Sequence, residues 1–175
     1  MSLSSLSSVG RCFRLQIGAL IVVLLLLVLG SPCPILAGSG KTPAVDHPIV
    51  TGHVYTKHLR CVNCGMKLNM WARTRHSFTL ASGEYQVCSL HCVAEMARLK
   101  QQTPQHVQVA LYLEPEAMIA AEQAAYVVGS TAPGTMTAVS EAAFASKEAA
   151  QAFVAEYGGK VMTFAEALAK ASKEL

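Results

Sequence analysis

From residue 57 onward the apolar positions follow one order of periods, and then follow it again. Residues 77–80 alternate as a short strand, Ser82-Gly83 marks a turn, and residues 85–87 read as the returning strand of a hairpin. Ser89 stands where a helix N-cap belongs, and Val93, Met96, Ala97 and Lys100 follow at helical spacing. Beyond Thr103-Pro104, residues 107–112 alternate again as a half-buried strand. The second round begins with a strand at 125–128, breaks at Ala132-Pro133-Gly134, and resumes as a strand near 137–144. Ser146 is its N-cap, while Ala149, Phe153, Val154 and Tyr157 form the apolar stripe of its helix. Gly158-Gly159 closes that helix and residues 161–163 give the last strand. An amphipathic helix over 164–173 ends the chain, with lysines near its C-terminus where the helix dipole favours them. Residues 57–175 therefore predict one α+β domain of two strand–strand–helix–strand repeats, about 57–113 and 124–164. The expected sheet is antiparallel, with the helices on one side.

The N-terminus carries a different pattern. Arg11 and Arg14 precede an apolar run over 15–29, interrupted only by Gln16 and Gly18, and Gly30-Ser31-Pro32 follows. A basic stretch, a short apolar stretch and then small residues are the layout of a secretory signal. The run is shorter than the ~20 apolar residues that span a bilayer comfortably. Ala37, before Gly38-Ser39-Gly40, offers a cleavage site, and Pro32 stands before Cys33 where a lipidation motif needs Gly, Ala or Ser. Residues 1–37 are thus expected to be a signal peptide or a membrane anchor, and 38–56 a linker. Either way the body of the protein is periplasmic or otherwise extracytoplasmic, anchored to the membrane through the N-terminal segment if that segment stays.

Composition narrows the partners. Of 175 residues, 14 are Lys or Arg and 11 are Asp or Glu, a formal net charge of +3. Removing Arg11 and Arg14 with the leader brings the two signs nearly into balance. No basic stripe is interleaved with aromatics, so nucleic acid is not an expected partner. No Ser/His/Asp order, phosphate loop or paired-carboxylate pattern is visible either, and an enzyme is not expected.

The chemistry gathers in the cysteines. Cys61-x2-Cys64 precedes the first hairpin, and Cys88-x3-Cys92, with His91 between, brackets the start of the first helix. Two close pairs separated by a hairpin resemble a zinc ribbon or treble clef, in which a knuckle and a helix N-terminus each supply two thiolates. Three readings are open at this point: disulfides suited to an exported chain, a structural zinc site, and a Cu(I) site. Thiol oxidoreductase chemistry is disfavoured, because Gly65 follows Cys64 directly and no βαβ unit precedes it. Met66 tilts the choice, since a thioether serves Cu(I) well and zinc poorly. Met70, His76 and His91 lie close in sequence, and Met136 occupies a loop after Pro133-Gly134. Met96 and Met162 fall on predicted core faces. His47, His53 and His58 read as a solvated tail.

Cys61-x2-Cys64-Gly65-Met66, the hairpin ending in Cys88-Ser89-Leu90-His91-Cys92, and the later Pro133-Gly134-Thr135-Met136 and Gly158-Gly159-Lys160-Val161 together resemble NosL-type proteins. These are accessory lipoproteins and copper chaperones of nitrous oxide reductase assembly. The resemblance implies two strand–strand–helix–strand repeats and Cu(I) carriage outside the cytoplasmic membrane. The implied recipient is an apo-metalloenzyme of the nitrous oxide reductase kind or another copper carrier. It places the family's Cys-Gly-Met on Cys64, Gly65 and Met66, and its second-half loop methionine on Met136. Cys88 and Cys92 exceed that minimal set and keep zinc open as an alternative. The expected metal residues are therefore Cys61, Cys64, Met66, Cys88, His91, Cys92 and Met136.

Overall fold

A computed structural model describes residues 57–175; the expected leader, the linker, His47 and His53 lie outside the described residues. Strand β1 (His76–Leu80) returns as β2 (Gly83–Val87) through Ala81-Ser82, with Leu80 opposite Gly83. Ser89 caps helix α1 (Leu90–Lys100), its side chain accepting from the Cys92 amide, which satisfies one of the orphan donors of the first turn. Strand β3 (Gln105–Ala110) buries Val107 and Val109 and exposes Gln108, the alternation of a one-sided strand. It pairs antiparallel with β1 across a bulge, where His106 takes a positive φ of 50°.

A three-residue strand that the pattern was too short to reveal, β4 (Met118–Ala120), adds to β3. The second repeat supplies β5 (Ala125–Val128), β6 (Glu141–Phe144), α2 (Lys147–Tyr157) and β7 (Lys160–Met162), and α3 (Phe164–Lys173) closes the chain. The strand orders are β2-β1-β3-β4 and β6-β5-β7. In each repeat the first strand is central, flanked by the second and third, and every pairing is antiparallel. The duplication read from the sequence is thus a duplication of topology.

The helices do not share one side, as the sequence pattern suggests. Tyr126 and Val128 of β5 face the larger core with Val93, Met96, Phe78 and the α3 alanines Ala167 and Ala171. Val127 points the other way, into a second core with Ala142, Phe144, Ala150 and Phe153. A strand buried on both faces loses the polar–apolar alternation that would have signalled this arrangement. The two repeats are joined by hydrogen bonds: the Tyr112 amide donates to Ala143 O at 2.8 Å, and Tyr126 Oη lies 3.1 Å from His76 Nε2. His76 Nδ1 lies 2.9 Å from the Thr74 carbonyl, so Nδ1 carries the proton and Nε2 accepts from the tyrosine. His76, which the sequence sets near the metal residues, is a fully buried structural histidine whose pKa burial lowers to about 4.

Candidate metal centre

Residues 59–68 fold as a knuckle against the end of β2. The Leu68 amide donates to Leu59 O, the Cys61 amide to Met66 O at 2.8 Å, and the Gly65 amide to Cys61 O at 2.9 Å. Gly65 sits at φ +80° with open space where a Cβ would stand, so conformation and not crowding makes glycine fit here. That turn brings Met66 back alongside the cysteines. The Cys64 amide lies 3.5 Å from Cys61 Sγ, a hydrogen bond that favours the thiolate form. The Val62 amide, bonded to Gln86 O, fastens the knuckle to β2. Cys88 stands at the end of β2, one residue before the N-cap, and Cys92 is in the first turn of α1.

The four ligand sulfurs of Cys61, Cys64, Cys88 and Cys92 all lie within 4.8 Å of one another. Cys88 Sγ is the hub: it is 3.4 Å from Cys64 Sγ, 3.8 Å from Cys92 Sγ and 3.9 Å from the Met66 thioether. All four are free thiols, and the disulfide reading finds no pair among the described residues. Sulfurs bound tetrahedrally at about 2.3 Å would sit ~3.8 Å apart, close to the separations here, so side-chain adjustment alone would let this constellation hold a metal ion. Cys61, Cys88 and Cys92 are buried, whereas Cys64 and Met66 are half-exposed.

The thiols share protons unequally. Hydrogen bonding from the Cys88 and Cys92 thiols holds Cys61 well below the ordinary thiol range, despite its burial. Its bond to Cys61 pushes Cys88 up, and the same partner raises Cys92 to about 12. A cluster that loses its first proton readily and holds the rest is suited to a soft cation, which replaces the remaining protons as it binds.

The other candidates are placed differently. The His91 ring turns to Glu95, 3.9 Å from its carboxylate, and stands outside the four-sulfur group. Asn63 Nδ2 donates to the same carboxylate at 2.6 Å, so Glu95 ties the knuckle to α1. Met136 is 44% exposed and holds a positive φ of 66°, an unusual conformation for a residue with a Cβ. It is not packed into either core. Its loop nevertheless reaches the centre through its neighbour: Thr135 Oγ1 lies 3.0 Å from Thr74 Oγ1, which donates to the Cys88 carbonyl at 2.7 Å. Gly134 makes that loop possible, since a Cβ there would stand 2.1 Å from Thr137 O. Met96 is buried and Met162 half-buried against the core, as packing residues should be. His58 is half-buried, with Nε2 shielded from solvent, and does not lie in a solvated tail.

Glu141 is a site residue that sequence reasoning missed. It is buried at the start of β6, where its carboxyl accepts from the His91 amide in the first turn of α1. Burial raises its pKa to about 7, with Glu174 adding to the rise, while the His91 amide and Lys170 oppose it. Nothing in the alternation of 137–144 marks that glutamate as inward-facing.

The family model described as NosL matches residues 53–171. The crystal structure of the copper chaperone NosL from Shewanella denitrificans superposes with a TM-score of 0.53 at 23% identity, covering 68% of this chain and 96% of that one. No curated protein matches the chain.

Proposed function

The chain belongs to the NosL family, and on that footing we propose that it is an extracytoplasmic Cu(I)-binding accessory protein that passes copper to an apo-metalloenzyme or to another copper carrier. The observation that carries this reading is the set of four thiols within 4.8 Å with a thioether 3.9 Å from their hub. Soft sulfur donors of both kinds select Cu(I), and the nearest side-chain oxygen, Ser89 Oγ at 4.0 Å from Cys88 Sγ, is already engaged as the helix cap. Support also comes from the copper chaperone whose fold the chain resembles and from the secretory pattern of residues 1–37.

Transfer requires a ligand that an incoming group can displace. Cys64 and Met66 are the half-exposed members, and the exposed side chains of Leu59, Val62 and Met70 belong to the same knuckle and the turn after it. An acceptor that covers this apolar rim would exclude water while its own thiols or imidazoles take the ion from Cys64 and Met66. Met136 stands on the loop beside the centre as a further thioether for an ion in transit. The recipient we favour is an enzyme of the nitrous oxide reductase kind. The test is anaerobic competition between the reduced protein and a Cu(I) chelator. The wild type should hold the ion much more tightly than a Cys64→Ser, Met66→Leu double variant; equal binding sinks the reading.

A closed zinc module is the second reading, favoured by sulfur separations of 3.4 and 3.8 Å that suit a tetrahedral four-thiolate site. Metal analysis of protein purified without added metal separates the two. One zinc ion, lost together with the fold on chelation, supports the zinc module.

A further inference from the structure

The sulfurs divide by depth, and the division suggests more than one ion. Cys61 and Cys92 are buried, at 3% and 0% exposure, with sulfurs within 4.8 Å of Cys88 Sγ, that of Cys92 at 3.8 Å. Cys64 and Met66 are half-exposed, with sulfurs 3.4 and 3.9 Å from Cys88 Sγ. Cu(I) is satisfied by roughly two or three soft ligands, so a single ion would leave part of this five-sulfur set unused. Charge argues the same way. Four thiolates around one monovalent ion would leave three uncompensated negative charges in a largely buried site. Two ions would leave two, the balance of a divalent ion in an ordinary four-thiolate site.

We propose that the centre binds two Cu(I) ions that share Cys88: an inner ion held by Cys61, Cys92 and Cys88, and an outer ion held by Cys64, Met66 and Cys88. This rests on the Cu(I) reading above and adds to it a division of labour. The inner ion, shielded by the core, stays and neutralises the buried thiolates. The outer ion, on the half-exposed ligands, is the one exchanged with a partner. Cys88 becomes the residue on which stoichiometry depends, because it alone serves both sets.

The full chain, reduced and loaded anaerobically with Cu(I), is examined by native mass spectrometry before and after a pulse of a water-soluble Cu(I) chelator. The expected result is two copper ions per chain, one stripped at least about tenfold faster than the other. Met66→Leu, a change at a half-exposed position that leaves the fold intact by circular dichroism, should speed loss of the fast ion only. Cys88→Ser should bind no more than one ion. A single ion per chain at saturation, or two ions stripped at one rate and equally affected by Met66→Leu, overturns the two-site proposal while leaving copper binding in place. Failure to bind any Cu(I) against the chelator overturns the copper reading itself.

Discussion

The two repeats share a topology and differ in what they do with it. In the first, the end of β2 and the N-cap of α1 meet a glycine-turned knuckle, and that junction gathers four thiols and a thioether. In the second, the equivalent junction runs from β6 through Ser146 into α2 and holds no sulfur. Its Ser146 accepts from the Ala149 amide as Ser89 accepts from Cys92, so the helix starts are built alike. Exposed Ala145 and Ala149 stand where Cys88 and Cys92 do, and the buried side of this repeat is an aromatic core instead. Phe144 and Phe153 meet at a tilt with centroids 5.0 Å apart, and Phe153 and Tyr157 likewise at 4.6 Å. A duplicated unit can thus keep its backbone logic while one copy acquires chemistry and the other holds it in position. Glu141, at the α1 N-terminus, and Thr135, joined through Thr74 to the Cys88 carbonyl, are the points where the second copy supports the first.

This asymmetry can be broken by substitution. Losing two thiolates in Cys61→Ser, Cys64→Ser should weaken Cu(I) binding by at least ~10⁴-fold, or about 5.5 kcal/mol, in chelator competition. No single change in the second repeat should come near that. Phe153→Ala removes the centre of the aromatic cluster and should cost about 3–5 kcal/mol in urea denaturation, without removing a copper ligand.

Acid and base should expose the support differently in each repeat. Burial lowers the His76 pKa to about 4, so its contribution to stability is present above its ordinary 6.5 and is lost as pH falls through 4. Glu141, raised to about 7, behaves oppositely: its contribution is complete below the ordinary 4.5 and is lost as pH rises through 7. Each spans ~2.5 pH units, on the order of 3 kcal/mol, and the two oppose one another over the overlapping window. Glu141→Gln should therefore gain stability over the wild type at pH 8, lose that advantage near pH 4, and show a steeper fall in acid. Denaturation at those two pH values checks this, and an unchanged difference between them contradicts it.

Two smaller effects complete the comparison. Tyr126→Phe leaves the His76 Nε2 acceptor buried without its donor across the repeats, a cost of about 1–3 kcal/mol in thermal or urea unfolding. Met136→Leu should change equilibrium Cu(I) affinity by less than about threefold, well under the ~1.4 kcal/mol of a tenfold change, because its side chain lies at the surface outside the sulfur cluster.

Much of this was readable in the sequence where local signals and burial agree. The 77–80 and 85–87 strands, the Ser89 and Ser146 caps and the Gly158 C-cap all fall where period and capping chemistry put them. The strand expected near 137–144 is confined to Glu141–Phe144. Residues before it form a tight loop, in which Ser130 and Ser140 hydroxyls lie 2.7 Å apart and Gly134 admits no side chain. The Thr-x-x-Glu spacing of Thr163 and Glu166 is the capping box that opens α3. Among the metal residues, cysteine spacing announced the thiol cluster, and Met66 joined it through Gly65. His91 and Met136 are in the right segments, yet one ring turns to Glu95 and the other side chain to the surface. Proximity in sequence does not fix side-chain direction, and Glu141 shows the converse, a distant residue brought in by the fold.

On the proposed reading, sulfur alone holds the copper. X-ray absorption at the copper edge, on the full chain loaded anaerobically, measures it directly. The account predicts Cu(I) with a first shell of sulfur near the ~2.3 Å of metal–thiolate bonds and no imidazole scattering. A shell dominated by nitrogen or oxygen would contradict it.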